Sequence, residues 1–567
     1  MAALVNALDN YIPLQIGEKG HVEYEWSNSV QEKITQISFQ LVRTSNENTL
    51  RQNLTNMLST LKHKLSVPSI TEREIAKGYL SVLYKMIGYT RDIVDGKGEY
   101  KLTYMMIDVW FNFFPELSRF SLKCLVDLGD KSVHQYGSWK DIKYFCDYIK
   151  NKDHPLISYA IKLINEQLQK DYANLISNSS EISLAAKWAP REKSSFSWLY
   201  ERLATDYFSN FMMTPNSPPK IEKAILKCKT KYRKMLSVLN RYIDTVQIKQ
   251  CGNIWSQIDF NKVTSISLSK QKNAFLNTKN NGNVDRIKCA ENFTTYIKKA
   301  VKGDNEMKGK RVSMADFTKQ ATDLFHCGSQ VTKDLLNSQW HDNSSQNSAL
   351  GKMIAMVDVS GSMQGDPMNV AIALGIRIAE KSILGKRIMT FSDKPTWINL
   401  EPYSDFVSQV EIVKNSDWGI NTNFHAALDT ILAAIIQNKI SPENVQNLTL
   451  VILSDMKMDQ CEQCNKQILN DNTIKAKYEA AGIRLHGTPY KPPHILFWNL
   501  RSTSGFPTLV NQPNVSMMSG FSHVLLNLFC NEGLTALQSC APWSILIRSL
   551  KNERYKIMDD KFEEIIC

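Results

Sequence analysis

From residue 350 onward the chain alternates short, wholly apolar runs with helical segments, and this alternation admits few folds. The runs are Met353 to Ser360 (MIAMVDVS), Arg387 to Ser392 (RIMTFS), Leu448 to Asp455 (LTLVILSD) and His494 to Leu500 (HILFWNL). Between them Pro367 to Ile383, Phe424 to Gln437 and Cys464 to Ala481 space apolar residues as helices do. Strands without polar alternation must be buried on both faces, so the pattern predicts a parallel, doubly wound α/β sheet. Ligands of such sheets sit at the carboxyl ends of the strands, and chemistry-bearing residues are sought there.

The preceding three hundred residues differ. Val30 to Val42, Leu54 to Leu65, Glu74 to Thr90, Tyr104 to Phe114 and His154 to Ile176 place apolar residues three and four apart, with little strand-like alternation. Consecutive helix pairs in an irregular, HEAT-like array fit, and no strict repeat is found. A chain of 567 residues exceeds one core. The boundaries expected are a helical array over 1–336, a polar linker over 337–349 (NSQWHDNSSQN and two further residues), the α/β domain over 350–541 and an amphipathic tail over 542–567.

Apolar runs fall well short of the roughly 20 residues of a membrane span, so no insertion is expected. The first twenty residues lack a basic stretch before their apolar one and read poorly as a signal peptide. Eleven cysteines, an odd number without regular spacing, favour a reducing, cytoplasmic setting. The abundance of Asn, Lys and Ile suits an AT-rich genome, viral ones included, so a virion is the second setting expected. Net charge is +12, and residues 220–311 hold 21 Lys/Arg against 7 Asp/Glu. Such a segment is either a solvated face or a surface for phosphates.

At the first strand end stand Asp358, Ser360 and Ser362, one carboxylate and two hydroxyls at alternate positions, suited to a hard cation. A later strand ends in Asp455, and Thr422 lies in the loop before the helix at Phe424. This ordered set resembles the metal-ion-dependent adhesion site of von Willebrand factor A domains. The resemblance implies Mg2+ (or Mn2+) held by Asp358, Ser360, Ser362, Thr422 and Asp455, with one position left for a carboxylate of a protein partner. Asn421 and Met456 stand where glycine is common in that family. The competing reading is that Asp358 and the serines only cap a helix. A haloacid-dehalogenase-like phosphatase would need an acid where Ser360 stands, and a serine hydrolase would need G-x-S-x-G, so no enzyme is expected. Metal-assisted phosphoester hydrolysis is the weakest alternative.

In the helical part Thr90-Arg91-Asp92, Gly96 to Glu99, Tyr136 to Asp141, Leu184 to Arg191 and Tyr232-Arg233-Lys234 resemble an uncharacterised family, domain of unknown function 2828, over about residues 70 to 540. The order of helical array then A-type domain is similar to the TROVE-module Ro autoantigen. That similarity makes structured RNA an expected partner, with Arg91, Lys97, Lys140, Lys187 and Arg191 on phosphates and Trp139 and Trp188 stacking on bases. The alternative is that the tryptophans are core residues and the charges are paired. Cys461 and Cys464 form a lone C-x-x-C without further ligands, read as coincidence.

Overall fold

The computed structural model describes residues 13–152, 154–213, 217–279, 282–326, 328–391, 395–416, 424–457, 472–530 and 541–566. Before the main sheet, β1 (Leu14–Ile16) and β2 (Val22–Tyr24) form an antiparallel hairpin. The four apolar runs become β3 (Met353–Val357), β4 (Arg387–Thr390), β6 (Thr449–Ser454) and β7 (His494–Asn499). Two short strands join them, β5 (Trp397–Asn399) and β8 (Val515–Ser519), in the order β5-β4-β3-β6-β7-β8. All pairings are parallel except β4 with β5 at one edge.

Side-chain alternation explains the unbroken apolar runs. Ile354, Met356, Leu450, Ile452, Ile495 and Phe497 enter a core covered by the helices Phe424–Gln437 and Asn472–His486. Ala355, Val357, Val451, Leu453, Leu496 and Trp498 enter the opposite core, beneath the helix Asp366–Lys381. Both faces are thus dry. That helix approaches closely through Gly375, where a Cβ would fall 2.5 Å from Val357 Cγ2.

The helices expected from periodicity are present as Val30–Gln40, Glu47–Leu65, Ile70–Arg91, Tyr100–Phe111 and Pro155–Ile176. Their core does not stop at the sheet domain. One cluster runs from Ile34 through Trp110 and Phe145 to Val357, Trp498 and Phe562. A separate small core holds Phe260, Phe275, Phe293 and Leu335. Among the described residues no helix is long and apolar enough to cross a membrane.

Two boundaries differ from expectation. The polar stretch 337–349 is no linker: residues 337–344 belong to the helix Gln330–Ser344, and Gln339, Asn343 and Asn347 are buried. Trp340 stacks on Phe406 at 3.9 Å, and the buried Arg377 guanidinium lies 4.0 Å over the Trp340 ring. Arg377 donates to Asn347 Oδ1 (2.8 Å) and Asn343 Oδ1 (3.0 Å). The Asn343 and Asn347 amides that read as solvated accept from this internal arginine and donate to Lys310 O (3.2 Å) and His523 O (2.9 Å). The region 1–336 is also not wholly helical, since Tyr24 of the β1–β2 hairpin bridges to Phe506 of the sheet domain. The tail forms the helices Pro542–Leu550 and Lys556–Ile566 and docks on Ile70–Arg91, with Asp559 accepting from Ser81 Oγ (2.7 Å) and Lys85 Nζ (2.8 Å).

Candidate functional site

The sheet order places the reversal of strand order between the parallel neighbours β3 and β6, because the chain builds toward β5 on one side and toward β8 on the other. The crevice of a doubly wound sheet opens at that point. Asp358 and Asp455 follow these two strands. Register pairs Val357 with Leu453, and Asp358 N donates to Leu453 O at 3.1 Å.

Both carboxylates are fully buried. Asp358 accepts from Ser360 N through Oδ1 (2.9 Å) and from Ser454 Oγ through Oδ2 (2.6 Å). Burial pushes its pKa up to about 6; the Asp455 charge adds to the rise, and the Ser454 and Ser360 hydrogen bonds oppose it. Asp455 Oδ1 accepts from Lys457 N at 3.1 Å, while Oδ2 is buried with no hydrogen-bond partner. The Ser360 and Ser362 hydroxyls lie 3.0 Å apart. Asp358 is not a cap of the helix Asp366–Lys381, whose N-cap position is Gly365. Met456 takes a left-handed φ of 62°, a conformation that favours glycine, and its N–H donates to Ser454 Oγ (3.1 Å).

No cation of the chain answers these carboxylates among the described residues. Arg501 donates to the Ser362 carbonyl, and Lys457 Nζ reaches Glu18 of the N-terminal hairpin. Thr422 and Asn421 lie outside the described residues, as do Cys461 and Cys464. The described residues contain no group of three or more His, Cys, Asp or Glu that could hold a metal. The sheet-edge set is of another kind, two carboxylates with hydroxyls, and its orphaned Asp455 oxygen fits a hard cation of the Mg2+ type. Sequence reasoning missed Ser454 and Arg501; the first stands between Leu453 and Asp455 and could have been found from the strand end alone.

The residues expected to face RNA divide into two groups. Arg91 is buried and pairs twice with Asp141 (2.8 Å each). Lys97 is buried, donating to Ser38 O (2.6 Å), Leu41 O (3.2 Å) and Ser519 Oγ (2.6 Å), and burial pushes its pKa down to about 7. Trp139 is a core residue. These three are corrected to structural roles, because the two cations are spent on partners inside the chain and the tryptophan is packed in its core. Lys140 and Arg191 are exposed, and Lys187 and Trp188 are half-buried. They form one cluster with Lys143, which the sequence reading missed: its Nζ lies 5.1, 5.5 and 4.9 Å from the Tyr144, Trp188 and Phe196 ring centroids. Lys140 lies 5.7 Å from the Trp188 ring and Lys187 5.9 Å.

Comparison with known proteins gives two family matches. Residues 143–353 match a domain of unknown function (DUF2828), and residues 352–557 match another (DUF7788). The change from one to the other falls at the start of β3. Uncharacterized protein L728 of Acanthamoeba polyphaga mimivirus is 29% identical over 495 residues, covering 83% of this chain and 79% of the viral protein. No solved structure matches. The likeness is therefore to uncharacterised proteins, along most of the chain.

Proposed function

We propose that this chain is a non-enzymatic binding protein whose sheet domain is of the von Willebrand factor A type and captures a carboxylate of a protein partner through Mg2+ or Mn2+. The observation that carries this reading is the pair of buried carboxylates at the switch point, Asp358 and Asp455, with one oxygen left without a partner. Asp358, Ser360, Ser362 and Asp455 would hold the ion, with Thr422 completing the set. A cation held there would supply the positive charge that binds an acidic group of the partner. The chain's own part is to hold two hydroxyls side by side and to keep the carboxylates dry, where their attraction for a cation is strongest.

Calorimetric titration of Mg2+ and Mn2+ into the full chain tests it, with Asp455→Asn and Asp358→Ala beside the wild type. Binding in the wild type and its loss in both variants is expected. Equal binding in all three rejects the site. Turnover of a generic phosphoester that needs Mg2+ and vanishes in Asp455→Asn would replace the binding reading with hydrolysis.

A further inference from the structure

The basic surplus of residues 220–311 contains one ordered feature. The helix Pro218–Ile243, 26 residues long, buries Ala224, Cys228, Tyr232, Met235, Leu236 and Leu239. On another face Lys223, Lys227, Lys231 and Lys234 recur at intervals of four, four and three. At 3.6 residues per turn they fall within about 80° of one another, and Arg241 continues the row. All five are exposed.

The neighbouring carboxylates attend a different flank. Lys229 pairs with Glu201 (2.6 Å) and Arg233 with Glu192 (2.7 Å), whereas none of the five forms an ion pair among the described residues. The helix carries a single acidic residue, Glu222, and it stands well away from the row. From Lys223 to Arg241 the row is roughly 27 Å long, and its first four cations are spaced about 4.5–6 Å along the axis. One strand of a duplex carries a phosphate about every 3.4 Å of helix axis and an extended single strand spaces them more widely, so the row's spacing is on the scale of one to two phosphates. Aromatic surface accompanies it. The Lys227 and Lys231 ammonium groups lie 4.0 and 4.6 Å from the Phe211 ring centroid, and Tyr242, 48% exposed, stands at the end of the row.

We infer that this helix face is the track of a single-stranded nucleic acid, held through its phosphates and by stacking rather than by reading of base edges. Cations in a row with rings beside them are the elements of sequence-tolerant single-strand binding. A membrane-surface helix would turn its main apolar face outward; here that face is packed inside the protein. The surface is distinct from the sheet-edge site and does not depend on a metal.

The test is fluorescence anisotropy of a labelled oligouridylate, about 20 nucleotides long, with the full chain. Four phosphate contacts predict affinity falling roughly 50-fold between about 50 and 200 mM salt. Replacing Lys223, Lys227, Lys231 and Lys234 together by Ala should weaken binding at low salt at least tenfold and flatten the salt slope. Arginine at the same four positions should restore both, which separates charge from fold. EDTA should change nothing. Binding by the alanine variant equal to wild type overturns the inference, as does loss in EDTA. Equal affinity for a duplex of the same length, or tighter binding to phosphatidylserine vesicles through the same lysines, overturns it in favour of those ligands.

Discussion

Two regions of this molecule bury charge, and they do so in opposite ways. In the turn after the helix Ile70–Arg91 each buried acid meets a guanidinium: Asp92 accepts from Arg554 (2.7 and 2.8 Å), Arg91 pairs with Asp141, and Glu99 with Arg43 (3.0 Å). At the carboxyl ends of β3 and β6, Asp358 and Asp455 are as deeply buried and meet only hydroxyl and backbone donors. Burying charge without a counter-ion is costly, so the first region is a structural clamp, and the second is the pair on which the proposed cation site rests.

The largest effect that could break this contrast is at the clamp. Arg91→Ala leaves Asp141 buried without its partner and should lower unfolding free energy by about 3–5 kcal/mol in urea titration. A loss below about 1 kcal/mol would remove the clamp from the comparison. At the sheet edge, without metal, Asp455→Asn should be neutral or stabilising, since it removes a charge that opposes Asp358.

Glu32 offers a lone buried carboxyl between these extremes. Its Oε2 accepts from Val510 N (3.1 Å), Oε1 has no partner, and burial pushes its pKa up to about 7. A folded pKa raised above the unfolded one gives a contribution complete below about pH 4.5 and lost as pH rises through about 7. Glu32→Gln should therefore be more stable than wild type at pH 8, by up to about 3 kcal/mol, with the gain shrinking toward pH 5. A pH-independent difference would show that the acid stays ionised in the fold.

Saturating Mg2+ sharpens the comparison from the other side. At about a hundred times the dissociation constant it should stabilise the wild type by about 2.7 kcal/mol and leave Asp455→Asn unmoved in a thermal scan. The smallest effect belongs to the docked tail. Lys85→Ala removes a partly exposed pair with Asp559 and should cost no more than about 1 kcal/mol in the same scan.

Much of the sheet was legible because its signals are local. Apolar runs at β3, β4, β6 and β7 mark strands dry on both faces, and Asp358 and Asp455 follow directly in sequence. β5 and β8 were not legible: three residues in one case and a five-residue run containing two serines in the other carry too little pattern. The stretch 337–349 misled for a different reason. Its polarity is that of a linker until Arg377 and His523 are placed beside it, with Asn347 Nδ2 donating to the His523 carbonyl at 2.9 Å.

Sequence alone determined the long N-terminal helices, four of the six strands of the main sheet, their parallel pairing and the two carboxylates at its edge, because each depends on neighbours within a few residues. Which charges face water was decided only by the tertiary structure. Arg91 finds Asp141 fifty positions on, Lys97 finds Ser519 at a separation of 422, and Arg554 finds Asp92 at 462. A lysine in a charged turn and a lysine in a core look alike in one dimension, and burial against a distant partner is what separates the clamp from the open surface.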